Sequence, residues 1–114
     1  MNIEDFRVFC LSQHSTYEDF PFDETTLVFK VGGKMFALTD LAEPFSITLK
    51  CNPERALSLR EHYPSIQPAW HFNKKHWINI LCDGSVSDDM LKELIMHSYQ
   101  LVVESLPRKL KPTL

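Results

Sequence analysis

Cysteine and glycine are sparse in this chain, with three of each among 114 residues. Cys10, Cys51 and Cys82 are odd in number and far apart, and no CxxC pair occurs. That spacing supports neither a zinc ribbon nor a thioredoxin-type redox site, and reduced, mostly buried thiols are expected. No apolar run comes near the roughly 20 residues that a membrane-spanning helix needs. The first residues, Met1-Asn2-Ile3-Glu4-Asp5, lack the positive start and apolar stretch of a signal peptide, so a cytoplasmic location is expected. An excess of positive charge is also missing. The net charge of −3 argues against a strong electrostatic grip on a polyanion.

What is present fits one globular domain spanning residues 1–114. Apolar residues make up 44% and charged residues 24% of the chain, values of an ordinary folded protein with a modest core. Charge is unevenly distributed. Residues 1–24 hold Glu4, Asp5, Glu18, Asp19, Asp23 and Glu24 against Arg7 alone, whereas residues 25–82 carry seven Lys or Arg against four Asp or Glu. A polyanion, if bound, belongs on this positive middle.

Ile3, Phe6, Arg7, Cys10 and Leu11 are spaced as on an amphipathic helix over residues 2–13. The stretch to Phe20-Pro21-Phe22 resists helix at its proline and reads as a packed loop, with its aromatics out of water. Thr26 to Val31 and Lys34 to Thr39 are β-branched and aromatic runs joined by Gly32-Gly33, a strong hairpin signal. Alternation puts Leu27, Phe29 and Val31 on one face and Val28 and Lys30 on the other. Residues 40–44 form a turn into a third strand over Phe45 to Lys50, buried on one side. Asn52-Pro53-Glu54 is a helix start: a cap, a proline suited to the first position, and an acid at the positive end of the dipole. Pro64 and Pro68 hold Ser65-Ile66-Gln67 extended, and Trp77 to Leu81 alternates as another strand before the Asp83-Gly84 turn. Trp77 is expected in the core. Ser87 caps a last helix whose apolar stripe runs Leu91, Leu94, Ile95, Ser98, Val102 and Leu106, and Pro107 ends it, leaving a loose basic tail. The order predicts an α+β fold: an antiparallel sheet with helices packed on one face.

Five segments carry a resemblance: Glu18-Asp19-Phe20-Pro21-Phe22; Thr26 through Leu38 with Gly32-Gly33; Leu49-Lys50-Cys51-Asn52-Pro53-Glu54; His71-Phe72-Asn73-Lys74-Lys75-His76-Trp77; and His97-Ser98-Tyr99 with Leu106-Pro107. In this order they resemble the MmcQ/YjbR family of small bacterial proteins. The resemblance implies a frataxin-like two-layer sandwich, sometimes described as a double-winged DNA-binding architecture. It informs the fold far more than the chemistry.

The stretch Trp70 to Trp77 is the main candidate site. Lys74 and Lys75 offer charge to phosphate, Asn73 a two-way amide, and Trp70 a stacking face, with His71 and His76 alongside. Lys34 and Lys50 are expected to add charge from neighbouring strands. The plainer reading is a solvated turn whose polar groups bond its own backbone. His71 and His76, five apart, face opposite sides of a strand, and no carboxylate lies inside the motif, so no metal and no cofactor is expected. Cys51 with His71 or His76 is the only imaginable nucleophile and base, and no third group orients them. The expectation is a domain without enzymatic activity that binds DNA weakly and largely non-specifically. The alternative is a protein-interaction module using the sheet surface and exposed aromatics.

Overall fold

The computed structural model describes residues 1–42 and 44–112. Helix α1 (Ile3–Leu11) starts on a capping box: Asn2 Oδ1 accepts from the Asp5 N–H, and the Asp5 carboxylate accepts from the Asn2 N–H. Phe6 and Cys10, one turn apart, are its fully buried residues. Strand β1 (Thr16–Asp19) follows a reversal at Ser15, whose φ is +62°. Strands β2 (Thr26–Val31) and β3 (Lys34–Asp40) form the expected hairpin, with Val31 opposite Lys34 across Gly32 and Gly33. Strand β4 (Ser46–Lys50) leads to α2 (Pro53–His62), capped by Asn52 as expected. Short β5 (Ile66–Pro68), β6 (Trp77–Leu81) and α3 (Asp88–Ser105) complete the elements, with a 3₁₀ turn at Arg108–Leu110.

The strands form one antiparallel sheet in the order β1-β2-β3-β4-β6-β5. Leu27, Phe29, Val31, Ala37, Ile47, Leu49, Ile78 and Ile80 point to one side, where they meet Phe6 of α1 and Leu91, Leu94, Ile95 and Val102 of α3 in the core. This is the α+β arrangement expected, with the stripe of α3 facing the sheet as its spacing predicts. The ladder shifts at Phe29/Lys30, and the extra residue on β3, Phe36, turns inward beside Ala37 and meets Tyr99 of α3 edge-on. Among the described residues, no helix is long and apolar enough to cross a membrane.

Three local expectations are corrected. Residues 16–19 are a strand, not loop, and Tyr17, Phe20 and Phe22 are exposed. Edge strand β1 is held less by burial than by its ladder to β2 and by two ion pairs, Arg7 with Glu18 and Lys30 with Asp19. Trp77 lies outside the main core. Ile78 and Ile80 take the helix side of β6, so alternation puts Trp77 on the opposite face, where it packs against Phe72 with ring centroids 5.5 Å apart. The tail after Pro107 makes one 3₁₀ turn, closed by the Leu110 N–H on the Pro107 carbonyl. Glu43, which the sequence places in the turn after β3, lies outside the described residues.

Candidate nucleic-acid interface

The helices cover only one side of the sheet. Across the other side runs a row of paired residues: Asp19, Val28, Leu38, Thr48, Asn79 and Gln67, one from each strand. Two segments rise beside this open face, residues 20–25 before β2 and residues 69–76 before β6. Between them lies a groove of about 450 Å³ with Leu38, Thr48 and Asn79 in its lining, rimmed by Phe22 on one side and by His71 and Phe72 on the other.

The segment 69–76 is two consecutive turns. The Phe72 N–H bonds the Ala69 carbonyl, and the N–H groups of His76 and Trp77 both bond the Asn73 carbonyl. The side chain of Asn73 closes the second turn, its Oδ1 accepting from the Lys75 N–H at 2.9 Å. One end of the two-way amide is therefore spent on the loop's own backbone. Two outside contacts pin the segment: Arg60 of α2 donates to the Lys74 carbonyl at 3.0 Å, and the Cys51 N–H to the His76 carbonyl at 2.8 Å. Lysines 74 and 75 thus project from a backbone tied to α2 and to Cys51, the residue after β4.

Trp70 is 64% exposed, and Lys74 Nζ lies 4.4 Å from its ring centroid. A cation–π contact this open contributes about 0.5–1 kcal/mol, so the lysine remains available to an anion. Lys75 and His76 are exposed on the same turn. Lys50, opposite Trp77, shares the open face and the same end of the sheet. No Asp or Glu occurs in the sequence between Glu61 and Asp83. Lys34 does not join this group: it pairs with Val31, whose side chain is in the core, so it shares the helix side of the hairpin tip.

The far end of the groove carries the opposite charge, from Asp23 and Asp40. Asp23 is held below the usual carboxylate range by the Thr25 N–H and by the hydroxyl and N–H of Thr26. The open face is therefore polarised along its strands, cationic by Lys50 and the 69–76 loop and anionic by Asp40. Sequence reasoning found the cationic end because its residues are contiguous. It missed Phe22, Leu38, Asp40, Thr48 and Asn79, which come together only when β3, β4 and β6 pair. The alternation Ser46-Thr48-Lys50 was their one visible trace.

Cys51 is buried, and burial is the main reason its thiol is pushed up despite the nearby Arg55. Desolvation outweighs any help from the start of α2, so no ready thiolate faces His71 or His76. Cys10 is pushed up by burial as well, and Cys82 to about 11. Among the described residues, no three His, Cys, Asp or Glu side chains converge as a ligand set.

These features define a small α+β domain with helices on one sheet face and, on the other, a groove between two loop segments. Residues 11–101 match the YjbR family model, and the chain belongs to that family. It is 42% identical over 91 residues to YbdF of Escherichia coli O157:H7, covering 78% of this chain and 74% of that one. It is 30% identical over 110 residues to YjbR of Escherichia coli K12, covering 96% and 93%. Among solved structures, a Deinococcus radiodurans protein with a DUF419 domain superposes with a TM-score of 0.90 at 41% identity, over 96% of this chain and 84% of that one. A Pseudomonas syringae protein gives 0.76 at 33% identity, over 89% and 98%.

Proposed function

We propose that this is a cytoplasmic, non-enzymatic domain that holds single-stranded nucleic acid weakly on the open sheet face. The observation that carries the reading is the cluster at one end of that face. Exposed Trp70 stands beside Lys74 on a stretch without carboxylates that also carries Lys75, at the end of the sheet where Lys50 pairs with Trp77. Lysines meeting phosphate beside an aromatic platform are the means by which single strands are held without sequence preference. A single strand suits the surface because exposed Trp70 offers its ring to an unpaired base, whereas the bases of a duplex are already stacked. A frataxin-like relationship, implied by the family resemblance, would add likeness of fold and no chemistry.

The competing reading is a protein-interaction module, favoured by the exposed Tyr17, Phe20 and Phe22, of which Phe22 lines the groove with Asp23 and Asp40. Fluorescence anisotropy at low salt separates the two. Wild type should bind single-stranded oligonucleotides with a dissociation constant of about 10⁻⁴–10⁻⁶ M. Replacing Lys74 and Lys75 together by Ala should weaken binding alike for every sequence and flatten the log–log salt slope by about one to two units. No binding by wild type, or identical isotherms for the two proteins, transfers the assignment to the protein-interaction module.

A further inference from the structure

The groove beside the lysines has its own hydrogen-bonding pattern. Asn79 spends both amide hydrogens on neighbours, donating from Nδ2 to Ser46 Oγ at 3.2 Å and to Thr48 Oγ1 at 3.0 Å. Its carbonyl oxygen is left as an acceptor, and the two hydroxyls, having accepted, keep their own protons to donate. At the acidic end Asp40 accepts from the Ala42 N–H through Oδ1 at 2.9 Å, and no described residue donates to its second oxygen. The groove therefore offers carboxylate and amide acceptors beside hydroxyl donors, over an apolar floor at Leu38 and between the rings of Phe22 and Phe72.

We propose that this groove is a nucleobase pocket selective for guanine within a bound single strand. Flat aromatic walls suit a planar ring. Guanine is the base whose pairing edge places two donors, N1–H and the N2 amino group, beside an acceptor, O6. A single carboxylate can accept both neighbouring donors, so N1–H and N2 match Asp40 on β3, and O6 matches the hydroxyls of Ser46 and Thr48 on adjacent β4. The volume of about 450 Å³ admits a base with its sugar. Charge polarity fixes the direction: Lys50 lies two residues beyond Thr48 on β4, about 7 Å along the strand, and receives the phosphate while the base edge meets Asp40. The proposal rests on the nucleic-acid reading above and adds a base preference to it.

The test compares oligothymidylate, the same strand with one central guanine, and the same strand with hypoxanthine, which lacks the 2-amino group. Wild type should bind the guanine strand about tenfold tighter than oligothymidylate, and the hypoxanthine strand in between. Asp40→Asn should abolish the preference, read as the ratio of affinities for the guanine and oligothymidylate strands on the same protein, so that the uniform effect of the lost negative charge cancels. Lys74→Ala with Lys75→Ala should weaken all three alike. Equal affinity of wild type for the three strands overturns the pocket and leaves the nucleic-acid reading standing. In parallel, guanosine monophosphate is titrated into the labelled protein, and the amide resonances of Leu38, Thr48 and Asn79 are followed by NMR. Shifts there without oligonucleotide binding would keep the pocket and sink the single-strand reading. Shifts with arginine methyl ester and none with the nucleotide would overturn the pocket in favour of an arginine-bearing peptide.

Discussion

The Ser98 hydroxyl donates to the carbonyl of Phe36 on β3 and accepts from the N–H of Lys50 on β4, the latter at 2.9 Å. The β3–β4 ladder runs through Leu38–Thr48 and Ala37–Leu49 and stops there. Phe36 is the bulged residue of β3, so its carbonyl and the Lys50 N–H do not meet each other, and a helix side chain bridges them. One hydroxyl satisfies two backbone groups in a buried place and ties α3 to the strand that presents Lys50.

Ser98→Ala should leave both groups without a partner. Stranding buried polar groups costs about 1–3 kcal/mol. Urea unfolding of the variant should show that loss in its midpoint, with the slope unchanged. A change under about 0.5 kcal/mol, the range of ordinary surface substitutions, would mean that the hydroxyl is not needed to close the gap.

The hairpin turn separates two glycines that look alike in sequence. Gly32 and Gly33 both have positive φ, +59° and +84°, so any side chain there is strained. A Cβ at Gly32 would also lie 2.5 Å from Leu106 Cδ1, whereas one at Gly33 meets nothing within 4 Å. Gly33→Ala should cost about 1–2 kcal/mol, near the cost of a strained backbone alone. Gly32→Ala should cost more, because buried Leu106 must move as well. Thermal denaturation of the two variants side by side decides the order.

Leu94 is buried between α3 and the sheet. Leu94→Ala should destabilise by about 2–5 kcal/mol, as other large-to-small core changes do.

That stripe was legible because 18 residues give the 3.6-residue period room to declare itself, and capping by Ser87 and termination at Pro107 agree with it. Gly32-Gly33 was legible because few residues tolerate the φ that its turn requires. Strand β1 was not, since Thr-Tyr-Glu-Asp shows no apolar alternation and its partners, Arg7 and Lys30, come from other elements. Trp77 misled for a related reason. Its bulk suggested core, yet its place was decided by the parity of Ile78 and Ile80, which fill the helix side. The lysine loop was readable as a contiguous motif. The groove was not, because its lining comes from segments brought together only by strand order.

His97 links stability to pH. Its Nε2 accepts the N–H of Asn52, the residue that caps α2, at 3.2 Å, so the ring is neutral at that nitrogen. Burial, and secondly the Arg55 guanidinium, pull its pKa below the ordinary 6.5, while Glu93 and Glu104 pull the other way. The unfolded chain therefore binds the proton more readily than the folded one. The stabilisation is complete above about pH 6.5 and is lost as pH falls through the lower folded value. His97→Gln should flatten this part of the profile. Chemical denaturation between neutral and mildly acidic pH, comparing the variant with wild type, checks the sign; a steeper acid loss in the variant would contradict it.

Asn73 separates loop order from base reading. Its Oδ1 holds the Lys75 N–H, and its carbonyl receives His76 and Trp77, so the residue organises the turn that displays the lysines. Asn73→Ala removes one exposed side-chain-to-backbone bond and should cost about 0.5–1.5 kcal/mol of local stability. Hydrogen exchange should then accelerate at the Lys75 amide while amides of β6 keep their protection. Oligonucleotide affinity should fall by a similar factor for every sequence, since a disordered loop presents Lys74 and Lys75 less well whatever the bases. Were the amide reading a base edge instead, the loss would concentrate on one sequence and the Lys75 amide would exchange as in wild type. Measuring both quantities on one variant distinguishes the two roles.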